Sequence, residues 1–303
     1  MVRVMVPATS ANLGPGFDTL GVALELYNVV EMAETGVGED VIEVEGHGEA
    51  LARPENNLVW QAAQEVFRRV GWRPRGLLIR EAIGIPVARG LGSSSAAIVA
   101  GLVGANALAE RALGRRLLGR EEILAMAVAL EGHPDNVTPA LVGGFTVACL
   151  DGGRPLYVRL DPPSGLEAVV AIPERPLETR RARGVLPETV ALADAVYNLS
   201  RATLLVAALA TGRLDLLPAA TRDRLHQPYR ERLVPGLGAV IEAALAAGAR
   251  AAALSGAGPS VIALVAAGGA EPVAQAMEAA FQWHGSHCRV LPVRLAAEGA
   301  RVL

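Results

Sequence analysis

Apolar side chains recur with two different periods along this chain, and each period predicts one kind of element. Val2, Val4 and Val6 occupy every second position, which predicts a half-buried strand leading into a loop at residues 7–18. Further strands are predicted at residues 25–33, 41–45, 77–80, 143–150, 166–173, 251–254 and 261–266. Helices are predicted at residues 58–70, 98–109, 120–130, 192–211, 237–247 and 272–283. Strands that alternate with helices in this way favour an α+β fold.

The length and composition of the chain are sufficient for two domains. Of its 303 residues, 51% are hydrophobic, so each of two domains of ordinary size can build its own core. Residues 151–164 are rich in Asp, Gly and Pro, and this shift in composition predicts the connection between them. We therefore expect one domain at residues 1–155 and a second at residues 156–303.

Charge and cysteine content exclude several classes of protein. The net charge is −3 and the arginines are scattered, so we expect no nucleic-acid partner and no membrane partner. Cys149 and Cys288 lie far apart without a Cys-x-x-Cys motif, which excludes a disulfide framework and a zinc knuckle. Pro7 ends the first apolar run too early for a signal peptide. A cytoplasmic protein is therefore predicted.

The cluster of histidines and a cysteine near the end of the chain does not predict a metal site. His284, His287 and Cys288 lie near a predicted helix end with no fourth ligand nearby, whereas a closed metal site needs a complete ligand set. His47 stands between two glycines and predicts only a turn.

Residues 86–97 form a glycine-serine segment, Pro-Val-Ala-Arg-Gly-Leu-Gly-Ser-Ser-Ser-Ala-Ala, that runs directly into a predicted helix. Gly90 and Gly92 permit backbone angles closed to other residues and a close approach to a ligand, and the serines can cap the helix. The free backbone amides at the helix start then face an anion, which predicts a phosphate-binding loop. A glycine-serine turn before a buried helix is the structural alternative.

The chain contains no lysine, and all 28 basic side chains are arginine. The P-loop, the protein-kinase site and Schiff-base enzymes each need a primary amine. These three mechanisms are therefore excluded, and a different phosphate-binding architecture is required.

Three ordered motifs resemble the signatures of the GHMP kinases, a family that includes galactokinase, homoserine kinase, mevalonate kinase and phosphomevalonate kinase. Residues 7–18 resemble the first signature, residues 86–97 match the second at every fixed position, and residues 254–260 resemble the third. Alone, the first and third motifs are typical of turns; together with the second they favour the family. The resemblance implies that ATP binds at Pro86, Val87, Ala88, Arg89, Gly90, Leu91, Gly92, Ser93, Ser94, Ser95 and Ala96.

The resemblance also implies an architecture and an acceptor. It implies the two-domain GHMP kinase fold, α+β, with a ribosomal protein S5 domain 2-like N-terminal domain, a ferredoxin-like C-terminal domain and the site between them. Within the family, residues 131–140, Glu-Gly-His-Pro-Asp-Asn-Val-Thr-Pro-Ala, resemble the homoserine kinases. That branch implies transfer of the γ-phosphoryl group of ATP to the side-chain hydroxyl of L-homoserine.

Phosphoryl transfer needs a divalent ion that bridges the outer phosphates. A carboxylate at a helix end facing the loop can hold it beside a serine hydroxyl, because Mg²⁺ prefers oxygen ligands. We assign Ser94 and Glu131 to Mg²⁺. A helix-capping glutamate is the structural alternative.

An amino-acid acceptor needs a fixed anion for its ammonium group and a guanidinium for its carboxylate. Asp18 and Asp135 are assigned to the ammonium group. Arg183 lies in a segment that resembles the family's Thr-x-x-x-Arg stretch and is assigned to the carboxylate, with Arg230 as a second arginine. The predicted substrate-binding residues are Asn12, Asp18, His133, Asp135, Asn136, Thr179, Arg183 and Arg230, and the predicted catalytic residues are Asn136, Thr179 and Arg183.

The catalytic base stays open at this point. The resemblance places Asn136 where mevalonate kinases have an aspartate near the attacking hydroxyl, and positioning with charge neutralisation can carry most of phosphoryl transfer. His133 can orient a neighbour or accept the proton. Two other functions also stay open: another GHMP kinase acting on mevalonate, shikimate or a sugar, and a non-catalytic ligand sensor. The family resemblance implies a homodimer.

Overall fold

Two β-sheets organise the residues that the computed structural model describes, 1–45 and 51–303. The strands are β1 (Val2–Asn12), β2 (Gly16–Glu34), β3 (Val41–Glu45), β4 (Leu77–Ile83), β5 (Phe145–Asp151), β6 (Arg154–Leu160), β7 (Leu166–Pro173), β8 (Ala251–Leu254), β9 (Val261–Ala266), β10 (Cys288–Val293) and β11 (Arg301–Val302). The helices are α1 (Leu58–Val70), α2 (Ser93–Leu113), α3 (Arg120–Glu131), α4 (Pro134–Val142), α5 (Thr179–Arg183), α6 (Leu192–Thr211), α7 (Leu217–Ala220), α8 (Gln227–Arg230), α9 (Leu237–Ala246) and α10 (Ala270–Trp283). The turn predicted around His47 lies outside the described residues.

The first sheet is built around the long strand β2. Its strand order is β11-β1-β2-β4-β3, and β5 pairs with β2 and with β6. Strands β3 and β4 are parallel, whereas β1, β4 and β5 each run antiparallel to β2. Because β11 pairs with β1, the end of the chain returns to the sheet in which the chain begins. The second sheet has the order β10-β7-β9-β8 and is antiparallel at each of its pairs.

Helix α2 lies at the centre of the first hydrophobic core. It packs against α1, α3 and the face of β1, so its residues are buried on several sides and its sequence is apolar nearly all round. By length and composition α2 and α6 could each span a membrane. The two helices differ in burial, because 61% of the apolar segment of α2 is buried inside the protein, against 22% of that of α6. Helix α2 is therefore a core helix, and α6 is an exposed apolar one.

A second core fills the space between the four-stranded sheet and helices α9 and α10. Val169, Val261 and Phe281 are fully buried there and pack with Val240 and Met277. Burying one such side chain contributes about 1.5–3 kcal/mol to stability.

The loop predicted at residues 7–18 is mostly strand, so that prediction is wrong in extent. Strand β1 continues to Asn12 and β2 begins at Gly16, which leaves only a short turn between them. The reason is that Thr9 and Ser10 are fully buried. Polar residues on a strand with both faces covered break the alternation on which the sequence prediction depends.

The connection predicted at residues 151–164 is largely strand, because these residues contain β6, and the chain passes from the first sheet to the second only between Leu160 and Leu166. Gly152 and Gly153 have φ of 55° and 83° and form the tight turn of a hairpin that pairs β6 with β5. The glycines therefore form a hairpin turn, and the passage between the sheets lies at residues 161–165, at the end of the predicted segment. The domain boundary after residue 155 falls within β6 and stays a prediction. The other predicted strands and helices are present, some with shifted ends.

Candidate active site

A cavity of about 300 Å³ opens between the first sheet, the start of α2 and the α5–α8 region. The predicted residues that line it are Asn12, Asp18, Val87, Ala88, Arg89, Gly90, Leu91, Gly92, Ser93, Ser94, Glu131, His133, Asp135, Asn136, Thr179, Arg183 and Arg230. Residues predicted from distant parts of the chain are therefore brought to one cavity. Pro86, Ser95 and Ala96 do not line it.

The glycine-serine loop is pressed against the other two motifs at its two glycines. Gly90 has φ of 72°, and a Cβ there would lie 2.3 Å from the carbonyl oxygen of Ser255. Gly92 has φ of 68°, and a Cβ there would lie 1.9 Å from Oγ1 of Thr9. No other residue fits either position without displacing its neighbour. The hydroxyl of Ser255 lies 2.6 Å from the carbonyl oxygen of Gly90 and 2.8 Å from Oγ of Ser10.

The N-terminus of α2 points its first residues at the cavity. Helix α2 starts at Ser93, and Ser93 and Ser94 both line the cavity. The first backbone amides of a helix have no partner within it and carry the positive end of its dipole. Since α2 has 21 residues, this end of the cavity is suited to phosphate.

Glu131 ends α3 beside the same helix start. Its Oε1 accepts hydrogen bonds from Oγ of Ser94, at 2.9 Å, and from Oγ of Ser95, at 2.8 Å. The donor set is a carboxylate and hydroxyl oxygens next to the glycine-serine loop, which fits Mg²⁺. Ser95 thus contributes to the site through Glu131, a contact that the sequence did not predict.

The other end of the cavity holds an anionic cluster. One ligand atom each from Asp18, His133 and Asp135 lies within 4.8 Å of the other two. Nδ1 of His133 lies 2.5 Å from Oδ1 of Asp135. Burial lowers the pKa of His133, but the hydrogen bond to Asp135 and the charges of Asp135 and Glu131 outweigh it, so the pKa is raised. Two carboxylates at this distance are suited to an ammonium group.

Two arginines flank this cluster, one paired with a carboxylate and the other buried against neutral acceptors. Arg183 donates to both oxygens of Asp18, at 2.9 and 2.6 Å, and these bonds raise the pKa of Arg183. Arg230 is 1% exposed, and its hydrogen-bond acceptors are the carbonyl oxygens of Ala182 and Gly256 and the His226 ring. Burial, reinforced by the charge of Arg183, lowers the pKa of Arg230 to about 10. A buried guanidinium held by neutral acceptors is suited to a ligand carboxylate.

Two polar residues on either side of the β1–β2 turn have strained backbone conformations. Asn12 and Asp18 have φ of 69° and 54°, in the left-handed region that residues other than glycine rarely adopt. Oδ1 of Asn12 accepts from the amide of Asp18 at 3.0 Å, and its Nδ2 donates to the carbonyl of Gly256 at 2.8 Å. Strain of this kind persists where the surrounding structure enforces it, typically at functional sites.

Several residues of the site were not predicted. Thr9 donates to Oδ1 of Asn136 at 2.8 Å and thereby orients the residue assigned to the attacking hydroxyl. His226 contacts Arg230 at 3.2 Å. The spacing of four residues between His226 and Arg230 is that of one helix face, so this neighbour could have been found from sequence. Thr9 offered no such indication, because its partner is 127 residues away.

Known proteins resemble the chain over its whole length. The families described as "GHMP kinases N terminal domain" and "GHMP kinases C terminal" match residues 57–144 and 205–282. A homoserine kinase of Symbiobacterium thermophilum is 67% identical over 308 residues, covering 100% of this chain and 95% of that protein. One of Moorella thermoacetica is 48% identical and covers 100% of both. A crystal structure of homoserine kinase from Cytophaga hutchinsonii aligns with a TM-score of 0.87 at 29% identity, covering 100% and 97%.

Proposed function

The chain belongs to the GHMP kinases and, within them, to the homoserine kinases, and from this premise we propose how its cavity carries out the reaction. The enzyme transfers the γ-phosphoryl group of ATP to the hydroxyl of L-homoserine and releases O-phospho-L-homoserine and ADP, a step of threonine biosynthesis. The predicted two-domain GHMP kinase fold is confirmed by the family matches and the aligned crystal structure.

The glycine-serine loop receives the ATP phosphates in this proposal. The amides at the start of α2 face the phosphate oxygens, and Gly90 and Gly92 let the backbone approach closely. Ser94 and Glu131 would hold Mg²⁺, and the bound ion would supply charge neutralisation on the outer phosphates. Ser95 keeps Glu131 oriented through its hydroxyl.

The acceptor binds at the opposite end as a zwitterion. Its ammonium group lies between Asp18 and Asp135, and its carboxylate faces Arg183 and Arg230. The ion pair between Arg183 and Asp18 separates when the acceptor binds, because the carboxylate of the zwitterion then pairs with Arg183 and its ammonium group with Asp18.

The reacting hydroxyl is positioned rather than deprotonated early. Asn136, held by Thr9, and Thr179 orient it, and the proton leaves late to a phosphate oxygen or water. Nδ1 of His133 is occupied by Asp135, so we assign His133 to orienting that carboxylate.

One observation carries this proposal: two carboxylates and two arginines share a cavity with the phosphate loop. Mevalonate and shikimate have a carboxylate but no ammonium group, and a neutral sugar has neither. A ligand sensor would not need Ser94 and Glu131 side by side at a helix N-terminus.

The first test is ADP release by the purified protein with MgATP. L-Homoserine is compared with mevalonate, shikimate, galactose and no acceptor. We expect turnover that depends on L-homoserine and on magnesium. Turnover with another alcohol would contradict the assigned acceptor, and ATP binding without turnover on any acceptor would favour the sensor.

Replacing Arg183 by Leu tests the carboxylate site. We expect the KM for L-homoserine to rise by about 100-fold, because the substitution removes a charged hydrogen-bond partner of the acceptor carboxylate. ATP binding should survive, because Arg183 lies at the acceptor end of the cavity. Arg180→Leu, on the exposed side of the same helix, is the control. Loss of ATP binding in Arg183→Leu would contradict its role.

We also propose a homodimer and a cytoplasmic location. The homodimer follows from the family resemblance and is supported by the exposed apolar face of α6, where Leu192, Val196 and Leu199 are 80%, 56% and 66% exposed. The cytoplasmic location is supported by the reduced cysteines, which lie on different sheets.

A further inference from the structure

A buried hydrogen-bond network joins Arg230 to the turn between β1 and β2. This His226 network consists of the side chains of Asn198, Asp223, His226 and Arg230 and the carbonyl groups of Gly14 and Pro15. The side chains of His226 and Asp223 have no exposed surface. The reaction scheme proposed above does not use His226, Asp223 or Asn198.

The two contacts of the His226 ring determine its tautomer. Nε2 lies 2.6 Å from the carbonyl oxygen of Gly14, which can only accept, so Nε2 carries the hydrogen. Nδ1 lies 3.2 Å from Nη1 of Arg230, which can only donate, so Nδ1 is the acceptor. The two bonds can exist together only when the ring is neutral, because protonation of Nδ1 removes the acceptor for Arg230. Burial, with the charge of Arg230, lowers the pKa of His226 against the opposing charge of Asp223 and favours the same form.

Asp223 fixes the backbone that carries His226. Its carboxylate accepts from the amides of Leu225, His226 and Gln227 at 2.9, 3.0 and 2.7 Å. It also accepts from Nδ2 of Asn198 at 2.9 Å, and this nitrogen lies 3.1 Å from the carbonyl of Pro15. The β1–β2 turn is thus held at two successive carbonyls.

The turn and Arg230 both have little freedom to move independently of this network. A Cβ at Gly14 would lie 2.0 Å from the carbonyl oxygen of Thr221, so the turn is in tight contact with the end of α7. Nε of Arg230 donates to Ala182 and Nη1 to Gly256, at 3.2 and 3.1 Å, and Arg230 lines the cavity. Its orientation toward the acceptor is therefore set by these contacts and by His226.

We propose that His226 is a positioning residue that fixes Arg230 relative to the β1–β2 turn, which is flanked by Asn12 at the end of β1 and Asp18 near the start of β2. The carboxylate and the ammonium group of the acceptor then bind at a set separation. This inference rests on the proposed function, because it takes L-homoserine as the acceptor. It implies that His226 contributes to selectivity for an acceptor with a carboxylate, and not to ATP binding.

Two matched amides separate the contacts of the ring. The amide of asparagine reaches the position of Nδ1, so His226→Asn keeps an acceptor for Arg230. The amide of glutamine reaches the position of Nε2, so His226→Gln keeps only the donor to Gly14. His287→Asn, at an exposed histidine of the same half of the chain, is the control.

Steady-state kinetics with L-homoserine and with 3-amino-1-propanol, which lacks the carboxylate, distinguish the variants. For His226→Gln we expect the KM for L-homoserine to rise about tenfold or more. The kcat/KM for L-homoserine divided by that for 3-amino-1-propanol should fall by the same factor, and the KM for ATP should stay within about twofold of the wild-type value. His226→Asn should retain most of the ratio, and His287→Asn all of it. Equal losses with both acceptors, or in both amide variants, would overturn the inference.

Wild-type turnover separates the two proposals. If the wild type does not phosphorylate L-homoserine, the proposed function fails; if it does and the ratio is unmoved in His226→Gln, only the inference fails. The ¹⁵N spectrum of histidine-labelled wild-type protein tests the network without any variant. One of the five histidines should still be the neutral Nε2–H tautomer at a pH just below the ordinary histidine pKa of about 6.5, and the absence of such a ring would overturn the inference.

Discussion

Single side chains in this enzyme act through the partner that holds them. Glu131 is oriented by two serine hydroxyls, Asn136 by Thr9, and Arg230 by His226. In each case the hydrogen-bonded partner fixes the orientation of a side chain that could otherwise rotate. Substitutions at this scale should therefore affect one step and leave the fold intact.

Glu131→Gln is expected to lower kcat by about 100-fold or more and to raise the magnesium concentration needed for half-maximal rate. The amide keeps an acceptor for Ser94 and Ser95 but loses the charge that attracts a divalent ion. ADP release measured against magnesium concentration checks this. Glu121→Gln, an exposed glutamate of the same helix, should stay within about twofold of the wild type. An unchanged magnesium dependence in Glu131→Gln would contradict the metal assignment.

His226 is expected to make stability fall as the pH is lowered. Its folded-state pKa lies below the ordinary value of 6.5, so the unfolded chain binds more protons and stability is lost as pH falls below about 6.5. The loss reaches about 1.4 kcal/mol per pH unit until the folded pKa is passed. His133 acts in the opposite sense, because its pKa is raised.

The comparison with His226→Gln isolates this contribution. Denaturant unfolding of both proteins at about pH 7.5, 6.5 and 5.5 should show a smaller acid loss in the variant, which has no ring to protonate. Identical pH dependence in the two proteins would rule out a depressed pKa at His226.

Among the elements, α2 shows how one helix serves both the core and the site. Its middle is buried against α1, α3 and β1, which fixes the position of its first turn. Its first turn then faces the cavity with unpaired amides. The helix begins after Gly92 and ends before Gly114, and both glycines have left-handed backbone conformations, so substitutions at the two ends can be compared directly.

Gly92→Ala should be far more damaging than Gly114→Ala. Both substitutions incur the left-handed penalty of about 1–2 kcal/mol. At Gly92 the new Cβ also meets Thr9 at 1.9 Å and Asn136 at 3.2 Å, whereas at Gly114 no neighbouring atom among the residues that the structure describes lies within 4 Å. We expect Gly114→Ala to lower only the unfolding free energy, and Gly92→Ala also to raise the KM for ATP by about tenfold. Equal effects in the two variants would show that crowding at Gly92 is unimportant.

The molecule as a whole assembles its site from both halves of the chain. The first half of the chain supplies Asp18 from β2, Asp135 from α4 and the glycine-serine loop, and the second half supplies Arg183 and Arg230. Helix α6 contacts the β1–β2 turn through Asn198 and exposes an apolar face on its other side.

Leu199→Glu should weaken the proposed dimer if this face forms the interface. A charge at a desolvated contact is costly, so light scattering should show a shift from twice 31.4 kDa toward 31.4 kDa at low micromolar concentration. Leu113→Glu, at an exposed leucine of α2, is the control and should not change the mass. A dimer that persists in Leu199→Glu would place the interface elsewhere, and a monomeric wild type would contradict the homodimer.

The sequence by itself determined the family and the α+β class, and it predicted the phosphate-binding loop. These properties depend on local chemistry: Gly90 and Gly92 next to serines predict an anion site, and the lack of lysine excludes its common alternatives. The residues predicted for Mg²⁺ and for the acceptor do lie in one cavity, and their individual roles stay predictions.

Only the tertiary structure decided which residues hold those side chains in place. Thr9 reaches Asn136 across 127 positions, and His226 reaches Gly14 across 212, so neither pair follows from spacing along the chain. The extent of β1 and the presence of β6 were also beyond the pattern, because both depend on what covers or pairs with the strand. Local sequence specifies chemistry and elements, whereas burial and long-range hydrogen bonds exist only once distant segments are packed together.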